Sequence, residues 1–416
     1  MLLWIFGILF FAITFGPRFF TLMNFGYGFL DLGLYSQFFN DLTQGFYNPY
    51  IPSLKKMFFT LRPEPLLLAL WPLSYNTTHP AVFLFLDEVA VITAAAVCAN
   101  FTWRKTQSSA ISIAIFVSIL FSPLLMDSLH TSSSIELWAQ PFLALLFTEY
   151  FSRRRPLQMG AWFSLLCLLN LNFCVLAILI LPLSLLTQGN RWKFKRRVEV
   201  GLTISIVSII AMGLLHFFQS EVAFETQYLW GISGPGMIKL LLLFWVVPVL
   251  VPEIVLFSVL LLVTVINGQH TTPILLVSLV ALGPIVFFER LKISKYPRLY
   301  QVLACALISS CIYYNLISSD PFFGFWKPER WAISDENKKV HEIMTHIPAL
   351  DTLAASSCFT PFLGNRLSLM TLSSVNWRQP ELPRYILTRN EVVTSPSFSK
   401  IEENVKTGTR LLVRFK

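Results

Sequence analysis

The chain has 416 residues, 55% of them hydrophobic and only 13% charged, with a mean hydropathy of +0.62. A soluble domain carries about 25% charged residues, so this composition excludes a soluble globular protein, a disordered chain and a nucleic-acid-binding module, and the long unbroken apolar runs exclude an alternating-strand β-barrel. The net charge of +9 then reads as the Lys and Arg that fix the cytoplasmic loops of an all-α polytopic membrane protein, with membrane lipid and not nucleic acid around it.

Runs of about 17–25 mostly apolar residues read as spans, and about eleven are present, several of them short. In chain order they cover roughly Met1–Phe15, Ala81–Phe101, Ser109–Leu125, Leu137–Phe151, Met159–Leu169, Phe173–Leu186, Val200–Phe218, Met237–Val251, Ile254–Ile266, Pro273–Phe288 and Leu299–Ser318. The first lacks a basic leader and a small-residue cleavage site, and reads as an uncleaved anchor. Pro248, Pro252 and Glu253 interrupt the run from Met237 to Asn267, which predicts a hairpin in place of one long helix. Basic residues follow the second, fourth, sixth and tenth spans: Arg104 and Lys105, Arg153–Arg155, Arg191–Arg197, and Arg290–Arg298. Short basic loops stay in the cytoplasm. The N-terminus is therefore expected inside and the C-terminus outside, with residues 1–318 forming the bundle and residues 319–416 an extracytoplasmic tail.

Two segments lie beyond the spans. The first is a long aromatic-rich outer loop at about 16–80, in which Leu66–Trp71 is too short to cross and reads as interfacial or re-entrant. The second is the polar tail. There Ser334–His346 reads as a helix with Ser334 as N-cap and Asp335 and Glu336 in its first turn. Short β-like runs follow at Thr352–Ala355, Leu367–Leu372, Tyr385–Thr388 and Leu411–Phe415, which predicts a small α/β appendage.

Ionisable residues gather toward the expected outer face. Asp31 sits in Gly28-Phe29-Leu30-Asp31-Leu32-Gly33-Leu34-Tyr35-Ser36-Gln37, where a helix would put Asp31 and Tyr35 on one face. Arg62 and Glu64 bracket Pro63. Asp87 and Glu88 lie inside the second span, point about 100° apart on a helix, and mark either a functional site or burial against a neighbouring helix. Asp127 and His130 follow the third span, and Glu136 begins the fourth. The six cysteines show no metal-binding or disulfide spacing.

These residues carry a resemblance. The chain resembles the DUF2079 family of predicted bacterial membrane proteins, placed with the GT-C-type glycosyltransferases. The family's acidic DxGxxxQ element reads here Asp31-Leu32-Gly33-Leu34-Tyr35-Ser36-Gln37. Where the family has a His before a Pro-containing stretch, this chain reads Leu61-Arg62-Pro63-Glu64-Pro65. The family's His-Pro-Glu element reads Ser134-Ile135-Glu136, with His130 displaced and Glu136 five before Pro141. Asn170-Leu171-Asn172 replaces a Lys-Glu-Asp element, and Leu363-Gly364-Asn365-Arg366 matches an LS-x-R turn with Gly for Ser.

The resemblance implies a GT-C-like helical bundle in the bacterial inner membrane, an outward active site, a polyprenyl-phosphate-linked sugar donor and an acceptor of unknown identity. It implies an acidic catalytic residue in the first outer loop, which Asp31 matches; Tyr35 on its face, Gln37 close behind, and Arg62, Glu64, Asp87, Glu88, His130 and Glu136 at the same depth on other elements are the expected substrate-binding groups. A carboxylate can take the acceptor's proton, and Arg62 or Lys55 and Lys56 can stabilise the departing phosphate. No cofactor is expected, and the residues leave a divalent metal open. Two other readings compete: a lipid-linked transporter or flippase, disfavoured because no internal repeat is visible, and a catalytically silent scaffold displaying the tail.

Overall fold

The computed structural model of the chain describes residues 2–27, 32–51, 56–62, 64–70, 72, 79–131, 135–152, 156–170, 173, 213, 251, 254–255, 277–290, 297–317, 331–348, 351–363, 369–372, 375, 383–389, 398–404 and 409–414. The spans expected at about 173–186, 200–218, 237–251 and 254–266 fall almost wholly outside these residues.

The described part of the bundle is mostly helical. Its described helices are α1 (Leu2–Met23), α2 (Leu34–Thr43), α3 (Phe58–Leu61), α4 (Ala81–Thr106), α5 (Ser109–Leu120), α6 (Pro123–Thr131), α7 (Ile135–Ser152), α8 (Pro156–Leu169), α9 (Val277–Arg290) and α10 (Pro297–Ile317). Among the described residues, three stretches are long and apolar enough to cross a membrane: Leu3–Met23, Ala81–Thr106 and Ser109–Met126. The centre is α4, which packs against α1, α5, α7 and α9, while α10 packs on α5 and α8 on α7. Buried small residues on facing helices, Ala94, Ala95 and Ala99 of α4, Ala144 of α7 and Ala281 of α9, let backbones approach closely. The run expected to span Ser109–Leu125 is broken after Leu120, and Pro123 opens α6, where its missing N–H costs nothing.

The first helix is longer than its hydropathy suggests. It continues past Phe15 through Pro17 and Arg18 to Met23, because Arg18 is neutralised by acidic partners on α4 and its charge does not force the chain into water. It ends in a Schellman motif: Gly26 N–H donates to Thr21 O at 2.8 Å and Phe25 N–H to Leu22 O at 2.8 Å. Phe25 occupies the left-handed position, φ 60°, that glycine usually fills. Gly26 is required beside it, since a Cβ there would meet the Thr21 methyl at 2.5 Å.

Between α1 and α4 the loop is built, not extended. After α2 a short hairpin pairs β1 (Tyr50–Ile51) with β2 (Lys56–Met57), and Phe38 of α2 stacks on Phe58 of α3 at 4.1 Å. Pro65–Leu70, expected to lie at the interface or re-enter, forms a 3-10 turn that packs on α8.

The tail carries α11 (Asp335–Thr345), with Ser334 as its N-cap accepting from Asn337 N–H at 3.1 Å, as the local pattern predicts. A five-stranded sheet follows, made of β3 (Leu353–Ala355), β4 (Leu369–Thr371), β5 (Tyr385–Arg389), β6 (Phe398–Asn404) and β7 (Thr409–Arg414). Its order is β4-β3-β5-β7-β6, with β3 parallel to β4 and β5, and β7 antiparallel to β5 and β6. The short α12 (Thr360–Leu363) joins β3 to β4 and packs against α2. The strand β6 has no counterpart in the sequence reading, because Ser399, Lys400, Glu402 and Glu403 mask its alternation.

The tail is latched to the end of α1. Phe25 enters the tail's core, its ring 4.5 Å from His341, 5.0 Å from Phe359 and 5.3 Å from Phe362, with the Arg389 guanidinium 5.9 Å above it. The Asn24 side chain donates to Ala332 O at 2.9 Å and accepts from Ser334 N–H and the Asn337 amide. His341 Nε2 meets Met23 O at 3.0 Å.

Candidate functional site

Two clusters meet where α1 ends and α4 begins. The first is ionic. Asp87 and Glu88 are adjacent on α4, and Arg18 of α1 lies between their carboxylates: Nη2 to Asp87 Oδ2 is 2.6 Å and Nη1 to Glu88 Oε1 is 3.1 Å. All three side chains are fully buried. Thr14 Oγ1, one turn back on α1, donates to Glu88 Oε2 at 2.8 Å, and Trp138 Nε1 of α7 donates to Asp87 Oδ1 at 2.7 Å. One guanidinium faces two carboxylates, and these charge-assisted bonds offset the cost of burying the charges in an apolar bundle. Beyond the end of α1, burial pushes the Tyr27 phenol above its ordinary range against the opposing pull of Arg18.

The second cluster belongs to the loop. Tyr35 of α2 donates its hydroxyl to Glu64 Oε2 at 3.0 Å. Glu64 is fully buried, and the half-buried Arg62 reaches its other oxygen at 3.9 Å. The Tyr35 ring lies 5.5 Å from both Phe83 and Trp138, whose rings stack at 6.2 Å. Trp138 therefore joins the clusters: its N–H holds Asp87 and its face supports Tyr35. Through Trp138 the ionic cluster in the bundle is linked to α2.

Of the residues predicted from sequence, the structure brings together Tyr35, Arg62, Glu64 and Asp87, with Glu88 turned toward Thr14. Asp87 and Glu88 are fully buried and held by Arg18. Gln37 is buried on the opposite side of α2 from Tyr35. Asp31 lies outside the described residues, as do the side chains of His130 in α6 and Glu136 in α7. Sequence reasoning placed Arg18 in a loop and passed over Thr14 and Trp138. A Thr four residues before an Arg in an apolar helix, opposite a carboxylate pair in another span, is the signal that could have found the ionic cluster. Among the described residues, no group of three His, Cys, Asp or Glu is placed to hold a metal ion.

Along nearly its whole length the chain shares its fold with solved structures. The chain is similar to the crystal structure of ArnT from Cupriavidus metallidurans bound to undecaprenyl phosphate, with a TM-score of 0.62 and 10% identity over 98% of this chain and 97% of that one. It is similar to the same protein in the apo state, with a TM-score of 0.60 and 11% identity over the same shares. At that identity the likeness is one of fold. No family model matches the chain, and no curated protein matches its sequence.

Proposed function

We propose that this protein is a GT-C-type membrane glycosyltransferase that moves a sugar from a polyprenyl-phosphate-linked donor at the end of the bundle where α1 meets α4. The observation that carries the reading is the fold shared along 98% of the chain with ArnT, one of whose structures holds undecaprenyl phosphate. The resemblance to the DUF2079 family adds the acidic residue, Asp31, just ahead of α2. In the bacterial inner membrane this end would face outward, because the basic residues Arg104 and Lys105 lie at the far end of α4.

The chemistry assigns each group a task. Asp31 takes the proton from the acceptor hydroxyl as its oxygen attacks the anomeric carbon. The bond from that carbon to the phosphate oxygen breaks, and polyprenyl phosphate leaves with the electron pair. Arg62, oriented by buried Glu64, and the exposed Lys56 offer positive charge to the departing phosphate. Tyr35, held by Glu64 and Trp138, keeps α2 in place.

The test is transfer from a polyprenyl-phosphate-linked sugar by protein in lipid nanodiscs. Asp31→Asn should fold and insert as the parent does and lose transfer by about 10²-fold or more, the scale of general-base loss. Undiminished transfer by Asp31→Asn removes the proposed base.

A further inference from the structure

A groove of about 750 Å³ opens on the bundle at the end away from the Arg18 cluster. Trp4 of α1, Val97, Asn100 and Trp103 of α4, and Ser109 and Phe116 of α5 are among its walls. Its deep end lies where Gly7 brings α1 against the other two helices: a Cβ there would meet Ile92 Cγ2 at 3.3 Å and the Phe116 ring at 3.7 Å. Its mouth carries Trp4, 75% exposed, and Trp103, 48% exposed. Tryptophans so placed mark the boundary between hydrocarbon and headgroups. The polar groups of the walls divide in two. Thr93 Oγ1 donates to Val89 O at 2.7 Å and Ser112 Oγ to Ala99 O at 2.8 Å, so both are satisfied within the helices. The exposed Asn100 amide and the Ser109 hydroxyl make no such bond among the described residues. An amide facing hydrocarbon without a partner is costly, and in a span it points to a ligand. Asn100, Trp103 and Arg104 stand at i, i+3 and i+4, on one face of α4.

We propose that this groove binds an anionic phospholipid from the leaflet at the Arg104 end of α4. The order of the polar groups matches the order of groups in such a lipid. Asn100 lies four residues, about 6 Å, deeper than Arg104, and in a glycerophospholipid the ester carbonyls lie deeper than the phosphate. The Arg104 guanidinium suits the phosphate oxygens. The Asn100 amide and the Ser109 hydroxyl can donate to the ester carbonyls. One acyl chain then runs past Val97 and Phe116 toward Gly7. Charge selects the headgroup. Arg104 has no acidic partner among the described residues, while its neighbour Lys105 is neutralised by Glu289 at 2.8 Å. No carboxylate lines the groove among the described residues, so nothing there would meet the ammonium of a zwitterionic headgroup. A polyprenyl phosphate shares the phosphate but has no ester carbonyl for Asn100. Asn100 lies about 20 Å along α4 from Asp87, so the site is separate from the clusters described above and does not rest on the glycosyltransferase reading.

The experiment is native mass spectrometry of the full chain in detergent, titrated with phosphatidylglycerol, phosphatidylcholine or unglycosylated polyprenyl phosphate. The parent should bind phosphatidylglycerol about tenfold more tightly than phosphatidylcholine. Asn100→Leu/Arg104→Gln should bind phosphatidylglycerol about tenfold more weakly than the parent and phosphatidylcholine as the parent does. Arg104→Lys keeps the charge but not the planar fork, and should fall between the two. If the double variant does not insert, Ala96→Phe, which keeps both polar groups and fills the groove, is measured against the same loss. Equal affinity of the parent for the two phospholipids, or equal binding of phosphatidylglycerol by parent and variants, overturns the site. Polyprenyl phosphate that displaces phosphatidylglycerol from the parent, and whose binding is lost in the double variant, assigns the groove to that lipid and overturns the proposal as well.

Discussion

Arg18 illustrates how one residue sets the terms for its neighbours. A guanidinium within an apolar helix is expensive alone, but two carboxylates and a Thr make it part of the packing. Removing it would strand two buried charges, at a cost of about 3–5 kcal/mol. Asp41 is the opposite case, a buried carboxyl that pairs with no cation among the described residues. Its pKa rises from 3.8 to about 7, so the folded protein holds this proton more tightly than the unfolded chain. The stability that this proton confers is fully present below about pH 4 and is lost as the pH rises through about 7. Asp41→Asn cannot titrate. The Tm of the parent minus that of Asp41→Asn should therefore fall as the pH is raised from about 4 to about 7.5; a constant difference would mean that Asp41 ionises as an exposed carboxyl does.

At the level of elements, what the sequence disclosed depended on how far apart the interacting groups lie. Ser334 caps a helix whose first free N–H groups are three residues away, and the cap was legible. The extent of α1 was not, because the partners that neutralise Arg18 stand 69 and 70 residues further on. Trp138 was missed for the same reason, its acceptor Asp87 being 51 residues back. In the loop, Tyr35 and Gln37 of the acidic motif lie on α2, but its second polar face was not separable from the first until the helix was seen to be buried all round. The Schellman motif ending α1 gives a prediction of its own. A left-handed Phe costs about 1–2 kcal/mol over Gly, and the burial of Phe25 in the tail offsets it. Phe25→Ala keeps the strain and loses the ring, so it should destabilise the tail by about 3–5 kcal/mol. Limited proteolysis should then cut residues 331–414 faster than in the parent, while unchanged protection would remove the ring's role as an anchor.

Across the whole molecule, the joints fix which parts share a side of the membrane. Met23, Asn24 and Phe25 hold the tail, so the loop after α1 and the tail lie at one end of the bundle. At the other end Lys105 of α4 pairs with Glu289 of α9 at 2.8 Å, within the basic region assigned to the cytoplasm. A reporter enzyme fused after Lys416 should therefore be active only in the outer compartment, and activity in the cytoplasm would invert the orientation.

The pocket around Phe25 also fixes an order of events during synthesis. Its walls include Phe359, Leu387 and Leu411, which leave the ribosome hundreds of residues after the ring they enclose. Until they arrive, the nascent chain carries an unfilled left-handed kink and an uncovered aromatic ring at the end of its first helix. The earliest loop of the protein is thus completed by its last segments, so a chain released before Ala332 keeps its first helix but leaves the loop after it unclasped.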